Sequence, residues 1–275
     1  MRNLSERHEE FARLHEDGCF VIPNPWDAGS ARMLAGLGFE ALATTSSGFA
    51  YTHGRSDGAV TREEVMAHIR VLDAATDLPV SADLENCFAH RPRDAAQTIK
   101  LACEAGAVGG SIEDWSGPED GRIYDFNHAV ERVQAAVETA RHLSVPFILT
   151  ARAENLIRGN PDLDDTIKRL QAFEAAGADV LYAPGLKTAE EVARVCEAVS
   201  RPVNVLAVPT LTVEEIAQGG AKRISVGGAL ARTAIGGFQG EFSDLTCSEL
   251  GAKVIHDVLR KSDVAEDEID EVLMG

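Results

Sequence analysis

The chain has 275 residues, 45% of them hydrophobic, and a formal charge of −18 from 26 Lys and Arg against 44 Asp and Glu. That length suits one barrel-sized domain with an ample core, whereas the acidity and the lack of any Lys/Arg cluster argue against nucleic acid as a partner. No apolar run approaches the ~20 residues that span a bilayer, the N-terminus has no apolar signal region, and the five cysteines include no CxxC pair, so a cytoplasmic protein with reduced thiols and no membrane partner is expected.

Leu4–Glu16 reads as a short amphipathic helix. A rhythm of β-branched runs and Ala-rich helical segments follows. It runs from a strand over Cys19–Pro23 to a helix over Ala28–Leu37, a strand over Ala41–Thr45 and a helix over Arg62–Ala75. Next come strand Val80–Leu84, helix Pro92–Ala105, strand Gly109–Glu113, helix Asn127–Leu143, strand Phe147–Arg152 and helix Leu163–Ala176. Strand Val180–Ala183, helix Ala189–Ala198, strand Val203–Ala207, helix Val213–Gln218 and strand Arg223–Val226 complete it. Gly106, Gly177 and Gly219-Gly220 fall where helix C-caps favour glycine, and Pro79, Pro146 and Pro202 each precede a strand, where a missing N–H is tolerated.

Eight such units predict an α/β fold, a single (β/α)8 TIM barrel with extra N-terminal and C-terminal helices. An open doubly wound sheet is the rival, and no GxGxxG stands between a strand and a helix to support it. After Glu241 the rhythm stops, and Cys247–Leu259 and Ala265–Leu273 read as further helices. This extension, 241–275, is either a solvated tail or an element that packs on another subunit.

In a barrel, the C-terminal ends of the strands form the active face. The third strand ends in Asp83-Leu84-Glu85, whose alternation on a strand predicts two carboxylates on one face. The fourth ends in Glu113-Asp114. Carboxylates from adjacent strands suit a hard cation such as Mg²⁺ or Mn²⁺; the plainer reading is an acidic surface loop. Arg152 ends the fifth strand, where it either grips a substrate carboxylate or phosphonate or neutralises Asp83 or Glu113. The small-residue stretch Thr44–Gly48 suits a turn whose backbone N–H groups face an anion, and Asp57 in the next loop is a site acid or a turn former. Asn204, in the seventh strand, and Tyr182, in the sixth, are within reach of the same pocket, and Asn204 is counted as a substrate contact. Asp27 is expected to cap a helix, and most histidines to lie on helix surfaces.

Taken together, Pro25–Ala31, Thr45–Gly48, Ala82–Asn86, Ser111–Asp114 and Ala151–Glu154 resemble the phosphoenolpyruvate mutase / isocitrate lyase superfamily over about Val21–Ala234. The resemblance implies a barrel, Mg²⁺ and an enolate-type intermediate from a small oxo acid. It implies that Ser47, Gly48 and Phe49 line the pocket for the substrate carboxylate. It implies that Asp83, Glu85 and Glu113 serve the metal, directly or through waters, that Arg152 holds the substrate, and that Asp57 and Glu113 assist the chemistry. It also implies a homodimer or homotetramer with a C-terminal helix exchanged between subunits.

One departure narrows the activity. The isocitrate and methylisocitrate lyase branches carry a Lys-Lys-Cys-Gly-His type loop after the fourth strand, and the mutase branch places Lys and Asn there. Here the loop is Trp115–Arg122, with no Lys, Cys, His or Asn. Cys87, His90 and His53 are weak candidates for proton transfer. The expected function is a Mg²⁺-dependent lyase or hydrolase acting on a C–C or C–P bond of a 2-oxo or 2-hydroxy acid, such as an oxaloacetate-like acid or phosphonopyruvate. A phosphonomutase and a non-catalytic oxo-acid binder are the alternatives.

Overall fold

The structure, a computed structural model, describes residues 3–235. Helix α1 (Leu4–Arg13) opens on a capping box in which Asn3 and Glu6 exchange hydrogen bonds. The β/α units follow: β1 (Phe20–Ile22), α2 (Ala28–Gly36), β2 (Leu42–Ala43), α3 (Ser46–Thr52), α4 (Arg62–Ala75), β3 (Val80–Ala82), α5 (Pro92–Glu104) and β4 (Gly109–Glu113). Then come α6 (Phe126–Arg141), β5 (Ile148–Arg152), a 3-10 turn (Asn155–Ile157), α7 (Leu163–Ala175), β6 (Val180–Tyr182), α8 (Ala189–Glu197), β7 (Val203–Leu206), α9 (Val213–Gln218), β8 (Arg223–Ser225) and α10 (Ala229–Ile235).

All strand pairs are parallel, in the order β1-β8-β7-β6-β5-β4-β3-β2. At the remaining seam, Ala43 N–H donates to the Pro23 carbonyl at 3.0 Å, which brings β2 beside β1. The result is the expected TIM barrel, nearly closed. The expected elements stand, most of them a residue or two shorter. Two helices depart from the expectation: α3 lies where the sequence predicts a turn, and α10 follows the last strand. The expected extension 241–275 lies outside the described residues.

The main core fills the space between the helices and the sheet. A second cluster closes the N-terminal end of the barrel, where Phe11 of α1 and Leu14 at its C-cap pack with Ile22, Val108, Ile148 and Val180 of the barrel wall. Gly109 permits that closure: a Cβ there would stand 2.9 Å from both the Ile148 carbonyl and the Phe11 ring. Gly106, at φ +109°, takes the left-handed position after α5, where a side chain is strained.

Among the described residues, no helix is long and apolar enough to cross a membrane.

Candidate active site

A cavity of about 170 Å³ opens at the C-terminal ends of the strands and is lined by Ser46, Ser47, Asp57, Asp83, Arg152 and Tyr182, with Asn204 and Arg223 at greater depth along β7 and β8. A larger hollow of about 440 Å³ lies beside α1 at the opposite end, away from the acidic cluster.

Asp83 is fixed from several sides. Its backbone N–H donates to Thr44 Oγ1 (2.7 Å), and its carboxylate accepts from the Ser46 N–H (3.0 Å), the Ser111 hydroxyl (3.4 Å) and Arg152 (3.1 Å). The Ser46 N–H belongs to the first turn of α3, so the anion-facing backbone expected there exists. In this structure it faces a protein carboxylate. Ser46 Oγ in turn donates to Asp57 at 3.0 Å, which draws Asp57 into the cluster.

Arg152 ties the acids together, with Asp83 at 3.1 Å, Glu113 at 3.4 Å and Glu154 at 2.6 Å. Glu154 is fully buried and also pairs with Arg158 at 3.2 Å. Asp57, Asp83, Glu85, Glu113 and Glu154 thus share two guanidinium groups. Burial first, then neighbouring carboxylates, raises the pKa of Asp57 and lifts Glu85 to about 8. Burial likewise raises Glu113 well above the ordinary range. The same acids hold Arg152 firmly protonated despite its burial.

Glu85 reaches the cluster by a route that strand alternation does not describe. Strand β3 ends at Ala82, and Glu85, Cys87 and Phe88 all adopt left-handed backbone, at φ 50°, 57° and 55°. Such conformations cost of order 1–3 kcal/mol each in non-glycine residues. Arg132 of α6, almost fully buried, holds the turn by donating to the carbonyls of Asn86, Ala89 and His90. The Glu113 N–H donates to the Glu85 carbonyl at 3.1 Å, so these two residues stand side by side. Asp114, which follows Glu113, turns to the other side. It accepts from Arg169 at 3.0 Å and from the Glu154 N–H at 2.8 Å, and so braces the β5 loop.

The residues fit a small hard cation. Carboxylates outnumber cationic groups, and Glu85 Oε1 is buried with no hydrogen-bond partner, the state expected of an oxygen that meets a cation or its water shell. Among the described residues no three His, Cys, Asp or Glu side chains form a closed metal cage. Mg²⁺ needs none, since it is commonly held by one or two carboxylates and keeps several waters.

Other expected residues are placed as follows. The Ser47 hydroxyl lies in the cavity wall, 3.1 Å from Thr45 Oγ1. Gly48 N–H is taken up by Thr45 Oγ1 at 3.2 Å, and a Cβ at Gly48 would stand 2.6 Å from Thr45 Cγ2. The Phe49 ring is in the core, stacked on His68 with centroids 4.0 Å apart, and its N–H donates to the Thr45 carbonyl at 3.0 Å. Asn204 is buried and bonded to Arg223 and Ser225 at 2.8 and 3.0 Å. Asp27 caps α2 as expected.

Cys87 is fully buried, which pushes its thiol up to about 12 and removes it as a proton donor. His53 is exposed at the C-cap of α3, and His90 bonds Tyr124 outside the cavity. His15 and His68, expected on helix surfaces, are buried, and burial lowers them to about 3 and 4. Glu154 and Arg223 had no assigned role. Their signal was a charge two residues beyond Arg152 and a charge opening an otherwise apolar strand.

The family model described as Phosphoenolpyruvate phosphomutase matches residues 11–246. A second, for the thiolase N-terminal domain, matches 226–275, most of it outside the described residues. A crystal structure of a protein from Burkholderia cenocepacia J2315, provisionally named a lyase/mutase, is 49% identical and covers 99% of this chain and 94% of that one, with a TM-score of 0.83. An uncharacterized protein of Mycobacterium tuberculosis (strain CDC 1551 / Oshkosh) is 31% identical over 79% of this chain and 81% of its own. Oxaloacetate decarboxylase of Paraburkholderia xenovorans (strain LB400) is 26% identical over 71% and 67% of the two chains. Phosphonopyruvate hydrolase, solved with oxalate and Mg²⁺, shares the fold at 20% identity over 95% and 93%, with a TM-score of 0.78. The chain therefore belongs to the phosphoenolpyruvate phosphomutase family, within the PEP mutase/isocitrate lyase superfamily.

Proposed function

We propose that the protein is a Mg²⁺-dependent lyase or hydrolase, active also with Mn²⁺, that cleaves a C–C or C–P bond of a small 2-oxo or 2-hydroxy acid through an enolate. Oxaloacetate-like acids and phosphonopyruvate are the leading substrates. The observation that carries this reading is Arg152, set at the barrel mouth among more carboxylates than it can neutralise. An anionic substrate entering such a site alone would be repelled. With a divalent cation the balance reverses.

Asp83, Glu85 and Glu113 would hold the cation, directly or through water, and the cation would supply positive charge to offset a developing oxyanion. Arg152 is the chain's own fixed positive charge for the substrate, and charge aimed at a developing oxyanion is usually the largest catalytic contribution. Asp57, at the cavity edge with a raised pKa, is suited to exchange protons with the leaving portion. Ser47 and Asn204 would position the acid, with Gly48 and Phe49 shaping the helical turn behind Ser47. The cavity of about 170 Å³ favours a substrate of few heavy atoms.

The test incubates the protein with Mg²⁺, Mn²⁺ or EDTA against oxaloacetate, phosphonopyruvate and alkylmalates, with pyruvate and phosphorus NMR as readouts. Metal-dependent release of an oxo acid is expected. Rearrangement between C–P and O–P species indicates a phosphonomutase, and metal-dependent affinity without turnover a binding protein. The family resemblance also supports a cytoplasmic homodimer or homotetramer with 241–275 exchanged between subunits, which light scattering of the full chain and of a chain ending at residue 240 checks.

A further inference from the structure

Cleavage that leaves an enolate needs a proton for the enolate carbon, and the loop after β4 offers no thiol, amine or imidazole to give one. Cys87 is sealed in the core, and His53 and His90 stand outside the cavity. Asp57 is assigned above to the leaving portion, and the cavity wall holds one further acid, a phenol: Tyr182, at the end of β6, beside Arg152, whose guanidinium carbon sits 4.9 Å from the ring centroid.

The hydrogen bonds behind Tyr182 have a direction. Arg223, the first residue of β8, is buried and can only donate. It donates to Asn204 Oδ1 at 2.8 Å and to Thr150 Oγ1 at 3.0 Å, and its third nitrogen faces His15 Nε2 at 3.3 Å. With Oδ1 committed to Arg223, the Asn204 amide N–H₂ is turned to Ser225 and donates to its hydroxyl at 3.0 Å. Ser225 therefore accepts from Asn204 and is free to turn its own proton toward Tyr182, which lines the same cavity and whose phenol it influences electrostatically. An oxygen that accepts from behind leaves its own O–H to point forward. Among the described residues, Arg223 has no carboxylate as a hydrogen-bond or ion-pair partner, and orienting this chain gives a buried cation a function.

Resting on the enolate reading above, we propose that Tyr182 is the proton donor to the enolate carbon, with its O–H aimed into the cavity by Arg223, Asn204 and Ser225 acting as positioning residues. In the step, the Tyr182 O–H bond breaks as a C–H bond forms at the enolate carbon, and the enolate collapses to the 2-oxo acid. The phenolate left behind is stabilised by the Ser225 hydroxyl and the Arg152 guanidinium, and takes a proton from water as the product leaves. Burial raises the Tyr182 pKa, so the phenol enters each cycle protonated at neutral pH.

The test uses the reverse half-reaction. In D₂O, with Mg²⁺ present, proton NMR follows exchange of the methyl protons of pyruvate, while calorimetry measures oxalate binding as an enolate mimic. Wild type is expected to exchange. Tyr182→Phe, which keeps the ring against Arg152, is expected to slow exchange about 100-fold or more while oxalate affinity stays within about threefold. Ser225→Ala should slow exchange less, and should add nothing in a Tyr182→Phe background, a non-additivity that a merely structural role would not produce. Exchange by Tyr182→Phe at the wild-type rate would overturn the assignment, as would a wild type that binds oxalate yet exchanges nothing. A wild type that binds no oxalate removes the enolate reading itself.

Discussion

The two ends of the barrel each contain a buried arginine, and the two are treated differently. At the mouth, Arg152 sits among Asp83, Glu113 and Glu154, beside a turn of left-handed residues and a carboxylate oxygen with no partner. Deeper in the barrel, Arg223 meets only neutral partners, and near it Phe11, His15 and Phe20 pack edge to face. The mouth carries strain and an excess of carboxylates, whereas the base holds one arginine in neutral hydrogen bonds beside an apolar seal. Stability and activity should therefore separate along the barrel axis.

The sharpest way to break that contrast is to remove the charge at the mouth. Arg152→Ala strands Glu113 and Glu154 without their shared cation, and breaking a buried ion pair costs about 3–5 kcal/mol. Turnover and oxalate binding should be lost together, and thermal stability without metal should fall. Kinetics and calorimetry decide, and a variant that still saturates normally with the acid would take Arg152 out of the site. At the base, Phe11→Ala should lower unfolding free energy by about 3–5 kcal/mol while leaving the oxalate affinity of the folded protein unchanged, as urea melts and calorimetry will tell.

A third test varies pH without metal. The folded Glu85 pKa is raised from 4.5 to about 8, and Asp57 and Glu113 move in the same direction. Their folded forms bind protons that the unfolded chain releases, so stability from this cluster is greatest below about pH 4.5 and is lost as pH rises toward 8. Melting temperature without metal should decline across that interval and flatten with saturating Mg²⁺. A decline equally steep with and without Mg²⁺ would detach the cation from these acids. Glu85→Gln should raise the melting temperature above pH 7 without metal and weaken its Mg²⁺ response. The smallest effect is expected at Asp27, whose carboxylate caps α2 by accepting from the Ser30 N–H at 2.7 Å. Asp27→Ala should cost about 1 kcal/mol and leave turnover intact.

Much of this was legible in the sequence because strands and helices carry distinct hydrophobic periods. The barrel, and the placement of Asp83, Glu113 and Arg152 at strand ends, followed from that. What local pattern could not supply was geometry set by tertiary contacts. Ser46-Ser47-Gly48 has weak helix propensity, yet it opens α3 because Thr45 caps it and Asp83 accepts the Ser46 N–H. Glu85 was assigned to the right cluster for an incomplete reason, since a strand period stops at Ala82 and the left-handed turn beyond it depends on an arginine 47 residues further along the chain, Arg132. His68 resembles a surface residue in sequence, and only the approach of Phe49 and the Trp26 carbonyl buries it.

The anchoring of the Asn86–His90 carbonyls by Arg132 has a further consequence. The guanidinium comes from the outer ring of helices and shapes the turn whether or not an ion is present. The turn that carries Glu85 is thus held by protein contacts alone, so, on the proposed metal-dependent reading, loading would not need the loop to fold. On that reading, a helix on the outside of the barrel would shape ion affinity alongside the oxygens at the mouth.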